Sequence, residues 1–280
     1  MKKIEILDST LRDGAQGEGI NYSVQDKIHI CQALDKLGIQ FIEAGNPGSN
    51  PKEMEFFQEV QKYSFENAHI CAFGSTRRKE ISCEHDANIQ SILAAGTEYV
   101  VIFGKSWNFQ VTEIIKTSLE ENLNMIKDSC LYLKEKGKHV IFDAEHFFTG
   151  YAADRDYSMK TLQAAVDGGA EVLCLCETRG GSMIGEVQSA VRDVVAAFGK
   201  KAKIGIHTHN DCGLAVANSL VAVEEGAVHV QGVLLGFGER TGNANLSAII
   251  PDLQLKMKYD CIPSDKMKIL TSVCKEVSEI

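Results

Sequence analysis

The sequence predicts a (β/α)8 barrel with the start of a C-terminal helical extension. Three observations lead there. A short β-rich run followed by an amphipathic stretch recurs eight times in 280 residues. Glycine stands at the helix-to-strand joints Gly38, Gly96, Gly137, Gly169 and Gly226, where a C-cap is wanted. The turn after the first run, STLRDGAQGEG, lacks the G-x-G-x-x-G by which a dinucleotide-binding open sheet is usually known. A doubly wound sheet is therefore the runner-up.

The elements follow in order. IEILD (4–8) is a strand, with a helix near 24–37, and FIEAG (41–45) precedes a helix near 51–62. HICAFG (69–74) leads to a helix near 86–95, and YVVIFG (99–104) to a long one near 111–136. HVIFDAE (139–145) is followed by 157–168, and EVLCLCET (171–178) by 183–198. KIGIHTH (203–209) precedes 213–226, and VHVQGVLLG (228–236) precedes 243–257. LDKLGIQFIEAG, ILAAGTEYVVIFG and AVDGGAEVLCLCE repeat one helix-glycine-strand phrase. Segment 263–280 reads as a further helix, opened by Ser264 as cap. The expected division is a catalytic barrel over 1–260 and the cut-short start of a helical subdomain over 261–280.

Composition narrows the function. Lys plus Arg is 29 against 38 Asp plus Glu, a net charge of -9, which argues against nucleic acid as partner. The opening MKKIEILDSTLRDG has no apolar core of a signal peptide, and no run approaches the ~20 apolar residues of a membrane span. Nine cysteines without C-x-x-C spacing suit a reduced, cytoplasmic chain. Cys174-Leu175-Cys176 reads as buried core, with soft-metal binding as the alternative.

Barrel chemistry sits at the C-terminal ends of the strands. Those ends carry Arg12, Asp13 and Gln16, then Glu43 and Asn46, then GSTRRK (74–79) and GKSW (104–107). Asp143, Glu145 and His146 follow, then Glu177, Thr178 and Arg179. The last two ends bring His207, His209, Asn210 and Asp211, then Glu239, Arg240, Asn243 and Asn245. His207 and His209 are two apart and share a strand face. Strands one, seven and eight are neighbours in a closed barrel, so Asp13 completes a two-histidine, one-carboxylate set, with Asn243 in reach. Mixed N and O ligands suit Mn2+, Zn2+, Co2+ or Mg2+.

LDSTLRDGAQGEG, FDAEHFFTGY, GIHTHNDCGLAVANSL and GFGERTGNANLSAIIPDLQLKM together resemble the family of 2-isopropylmalate, homocitrate and citramalate synthases, which includes hydroxymethylglutaryl-CoA lyase. The resemblance runs from residue 4 to about 257. GAQGEG, PGSNPKEMEFF, AFGSTRR and IFGKSW are most similar to the citramalate synthase branch. It implies a metal-assisted condensation of acetyl-CoA with a small 2-oxo acid, pyruvate giving citramalate being favoured, and thioester hydrolysis. It implies Asp13, His207, His209 and Asn243 as metal ligands, Arg12 and Glu145 at the reacting centre, and Arg12, Gln16 and Thr178 on the oxo acid. A homodimer acting on small molecules is expected. The alternatives are a carbon-carbon lyase of the hydroxymethylglutaryl type and a sister synthase using 2-oxoisovalerate or 2-oxoglutarate. A lyase would be expected to carry a cysteine in the glycine-rich loop, and GFGERTGNAN has none.

Several positions depart from the family pattern. Glu177-Thr178-Arg179-Gly180 replaces the usual Asp-Thr-x-Gly, Leu235 stands where the branch has Asn, and Asn46 where it has Trp. Arg179, if turned into the pocket, would favour a dicarboxylic oxo acid. Synthases of the family continue into a helical subdomain that supplies acid-base groups. The resemblance therefore implies intact oxo-acid binding, with weak or absent synthase turnover, for these 280 residues alone.

Overall fold

In the computed structural model, which describes residues 2–280, eight parallel strands close into a barrel in strict chain order. They are β1 (Glu5–Asp8), β2 (Phe41–Glu43), β3 (His69–Ser75), β4 (Tyr99–Lys105), β5 (His139–Glu145), β6 (Val172–Glu177), β7 (Lys203–Thr208) and β8 (His229–Gly232). The helices are α1 (Val24–Leu37), α2 (Pro51–Val60), α3 (Ala87–Ala94), α4 (Leu119–Glu135), α5 (Phe147–Ala153), α6 (Arg155–Asp167), α7 (Ile184–Phe198), α8 (Ala215–Glu224), α9 (Leu246–Pro251) and α10 (Leu270–Ser278). Local signals set the boundaries. Ser23 and Asp26 form a reciprocal capping box at the start of α1, and Gly38 ends it at φ 93°.

The differences from expectation have local causes. The long helix expected over 111–136 breaks, because Lys116 adopts φ 52° and Ser118 Oγ caps a new start by accepting from the Glu121 amide at 3.0 Å. A short extra helix, α5, precedes α6, and Asp154 caps α6 by accepting from the Tyr157 amide. β8 ends four residues early at Gly232. The chain then loops back, with the Val233 amide donating to the Ala244 carbonyl at 3.0 Å and Asn243 bridging to His209. That return delays the last barrel helix, α9, to Leu246.

Two apolar regions hold the barrel. One lies between strands and helices; the other fills the interior with Leu7, Phe41, Cys71, Val101, Ile141 and Val172. This inner layer is a packed core, as the fold requires. His69, Tyr99 and His139 stack at the strand starts beneath it. Above it the inward positions turn polar. α10 packs against α1, burying Leu270, Val273 and Val277 and joining Glu276 to His29 at 2.8 Å. Among the described residues no helix is long and apolar enough to cross a membrane.

Candidate active site

The polar layer surrounds a cavity of ≈ 290 Å³ at the C-terminal mouth. Asp13 enters it from the turn after β1, His207 from β7 and His209 from the residue after β7. The Asp13 Oδ2 atom lies 3.5 Å from His207 Nε2 and 3.7 Å from His209 Nε2, and the two Nε2 atoms are 3.3 Å apart. Tetrahedral ligands on bonds of ~2.1 Å would be separated by about 3.4 Å, so this triangle fits one divalent ion. All three residues are buried.

Electrostatics agree with that fit. Burial pushes the Asp13 carboxyl up, but Arg12 and the two imidazoles outweigh it and hold it well below the usual range. Burial together with the charge of His207 drives His209 down to about 3. Burial opposes protonation of His207 as well, yet Asp13 raises it above the ordinary value. An anion thus gathers positive charge onto one of two facing rings, and a metal ion can take over from that proton.

The tautomer of His207 is set from behind. Gln231 on β8 donates from Nε2 to Asp143 Oδ1 at 2.9 Å, which turns its Oε1 toward His207 Nδ1, also at 2.9 Å. An amide oxygen only accepts, so Nδ1 carries a proton and Nε2 keeps its lone pair for a metal. Asn243 Nδ2 donates to Asp13 Oδ1 at 2.8 Å, while its own Oδ1 is buried and unpartnered. Asn243 therefore orients the carboxylate and keeps one free acceptor at the site. Gly238 makes this possible. Its φ is 141°, and a Cβ there would overlap the Asn243 amide and stand 2.9 Å from the Asp13 carbonyl.

Arg12 is fixed on three sides. Nε donates to Glu43 Oε2 at 2.6 Å, Nη1 to Asp13 Oδ2 at 2.8 Å, and the guanidinium lies 4.1 Å from the Phe73 ring centroid. Ser9 also donates to the same Glu43 oxygen. Phe73 stacks on Phe103 at 5.3 Å, and the pair forms the apolar wall. Glu145 is joined through Oε2 to Lys105. Thr178 Oγ1 accepts the His146 amide at 2.9 Å, so its own O–H proton is left for another acceptor.

The HMGL-like family model matches residues 3–271. The chain belongs to the HMGL-like family. It is 51% identical to the (R)-citramalate synthase of Synechocystis sp. over 98% of this chain and 51% of that protein. It is 50% identical to the (R)-citramalate synthase of Aquifex aeolicus over 100% of this chain and 53% of that protein. The chain thus spans about half the length of these curated relatives. Among solved structures it is similar to the HMG-CoA lyase of Bacillus subtilis, with TM-score 0.82 and 20% identity, covering 100% of this chain and 94% of that one.

In this HMGL-like barrel the sequence-derived residues separate into two groups. Arg12, Asp13, Gln16, Glu145, Thr178, His207, His209 and Glu239 line the cavity, with Gln16 exposed at the rim. Arg179 does not. It is exposed and lines a different groove, between α5 and α7, together with Glu177, whose Oε1 accepts from Ser182. The departures at the end of β6 therefore fall outside the metal cavity. Asn46 closes its own loop by accepting from the Gly48 amide, and Asn210 accepts from the Ala215 amide. Arg240 pairs with Asp211 and donates to the Thr178 carbonyl at 2.8 Å. Sequence reasoning missed Gln231, Phe73 and Phe103. The signal for Gln231 was a polar residue at an inward position of an apolar strand.

Proposed function

We propose that the chain is the catalytic barrel of an acyltransferase that condenses acetyl-CoA with pyruvate to give citramalate. The observation that carries this reading is one small cavity uniting the Asp13-His207-His209 set, Arg12 and the Phe73-Phe103 wall, with Arg179 outside it. The similarity to (R)-citramalate synthases over essentially the whole chain supports it. So does the absence of any lysine or arginine besides Arg12 among the described cavity residues, which disfavours a second substrate carboxylate.

A divalent ion on Asp13, His207 and His209 would supply a Lewis acid for the keto and carboxylate oxygens of the oxo acid. Arg12, held charged by Glu43 and Asp13, is preorganised to stabilise negative charge growing on the keto oxygen. Thr178 donates its free O–H to the substrate carboxylate. The two phenyl rings form the apolar wall against which the oxo-acid side chain would lie. Glu145, oriented by Lys105, is the candidate base for the methyl proton of the thioester. A second cavity of ≈ 560 Å³ shares Phe103 with the first and is lined by Arg78, Lys79 and Lys105, a fit for the phosphate-bearing arm of coenzyme A. The reading includes a barrel over 1–260, a helical extension opening at 261–280, and a cytoplasmic homodimer.

The test pairs two measurements. Calorimetry with a divalent metal and pyruvate, 2-oxoisovalerate or 2-oxoglutarate reports oxo-acid choice, and release of CoA thiol from acetyl-CoA reports condensation. Pyruvate should bind best, and its addition should raise thiol release. Preference for 2-oxoglutarate, or cleavage of hydroxymethylglutaryl-CoA without condensation, would overturn the assignment.

A further inference from the structure

Just below the metal set lies a second group of donors with different chemistry. Asp143 on β5 is paired in register with Cys174 on β6, and Cys176 follows on the same inward face. Each offers one ligand atom, and the three atoms lie within 4.8 Å of one another. Tetrahedral positions on Zn–S bonds of ~2.3 Å would be about 3.8 Å apart, so modest rotamer adjustment closes the set on one ion. All three side chains are buried.

Two further observations point to a cation. The interior here is short of positive charge. Arg12 is paired with Asp13 and Glu43, whereas Asp143 has no ion-pair partner among the described residues and receives a single side-chain hydrogen bond, from Gln231 to Oδ1. The site also has an entrance, because Asp143 and Cys176 both line the ≈ 290 Å³ cavity.

We propose that Asp143, Cys174 and Cys176 form a second metal site, selective for thiophilic d10 cations such as Cd2+ and Zn2+. Two sulfurs and one oxygen suit a soft ion, whereas the two nitrogens and one oxygen above them suit a harder one. Binding converts both thiols to thiolates, and their protons leave to the buffer. The fourth coordination position faces the cavity. Gln231 connects the two sites, holding Asp143 with its amide nitrogen and His207 with its oxygen. Occupation of the lower site alters the partner that orients His207, so it weakens metal binding above. This inference stands on the donor geometry and does not depend on the reaction proposed for the cavity.

The test uses Cd2+ and a Cys212→Ser background, since Cys212 is the one exposed cysteine among the described residues. Titration should show a saturable thiolate-to-cadmium charge-transfer absorption with one equivalent bound. It should survive His209→Ala, which disables the upper site, and disappear in Cys174→Ser and in Cys176→Ser. Asp143→Asn should weaken it at least tenfold. Because buried serine substitutions can unfold a barrel, X-ray absorption of the cadmium-loaded His209→Ala, Cys212→Ser protein gives an independent readout. Two sulfur neighbours support the site. A shell without sulfur, or charge transfer that persists in both single-cysteine variants, overturns it.

Discussion

Replacing Gln231 with leucine isolates one link in the candidate metal centre. The side chain is fully buried and is not among the residues lining the cavity. Leucine keeps the approximate volume but deletes both 2.9 Å bonds, leaving the His207 Nδ1 proton and Asp143 Oδ1 without their partner. Each buried group deprived of its bond costs about 1–3 kcal/mol, so the fold should lose roughly 2–6 kcal/mol in total. Loss of the partner that orients a metal-binding histidine typically weakens the metal about 10–100-fold, which is about 1.4–2.8 kcal/mol. Competition of Mn2+ or Zn2+ against a fluorescent chelator measures that part, and thermal unfolding of the metal-free protein measures the other. Gln231→Glu retains an oxygen facing His207 Nδ1 and should keep most of the metal affinity. Wild-type metal affinity in Gln231→Leu would show that the tautomer is fixed some other way and would refute the relay.

His207→Ala should eliminate stoichiometric metal binding while far-ultraviolet circular dichroism stays that of the barrel; retained binding would remove His207 from the ligand set. Phe103→Ala opens the wall between the two cavities and should shift calorimetric preference about tenfold from pyruvate toward 2-oxoisovalerate; an unchanged ratio would contradict the size filter. Arg179→Asn should leave the pyruvate to 2-oxoglutarate ratio as it was, because Arg179 faces the α5–α7 groove. At the strand starts, burial opposes ionisation of Glu5, yet His229 and Lys203 draw its carboxyl down to about 2 from 4.5. That depressed value contributes stability that is present above pH 4.5 and is lost as pH falls through 2. Glu5→Gln should flatten the acid limb of a stability-against-pH curve, and identical limbs would deny Glu5 that part.

Much of this was legible in the sequence because strand period and strand-end chemistry are local. His207 and His209 are two apart, and a closed barrel brings the turn after β1 beside β7 and β8, so Asp13 could be joined to them without coordinates. The breaks were harder to foresee. Nothing in KTSLEEN forces Lys116 into a left-handed conformation, yet the chain takes it there and restarts the helix at the Ser118 cap. Arg179 shows the same limit from the other side. Its neighbour Thr178 faces the cavity, and whether the next residue turns in or out depends on how the chain leaves β6. Gln231 was hidden because its two partners, Asp143 and His207, lie 88 and 24 residues away in sequence.

The apolar layer of Leu7, Phe41, Cys71, Val101, Ile141 and Val172 makes the barrel a cup instead of a tube. Among the described residues this layer closes the base beneath the cavity. For the proposed condensation this imposes traffic rules. The oxo acid must be seated at the bottom before a thioester closes over it, and coenzyme A must depart before the hydroxy acid beneath can escape. A thioester that arrives first blocks the mouth, so excess acetyl-CoA should slow the reaction by trapping empty cups.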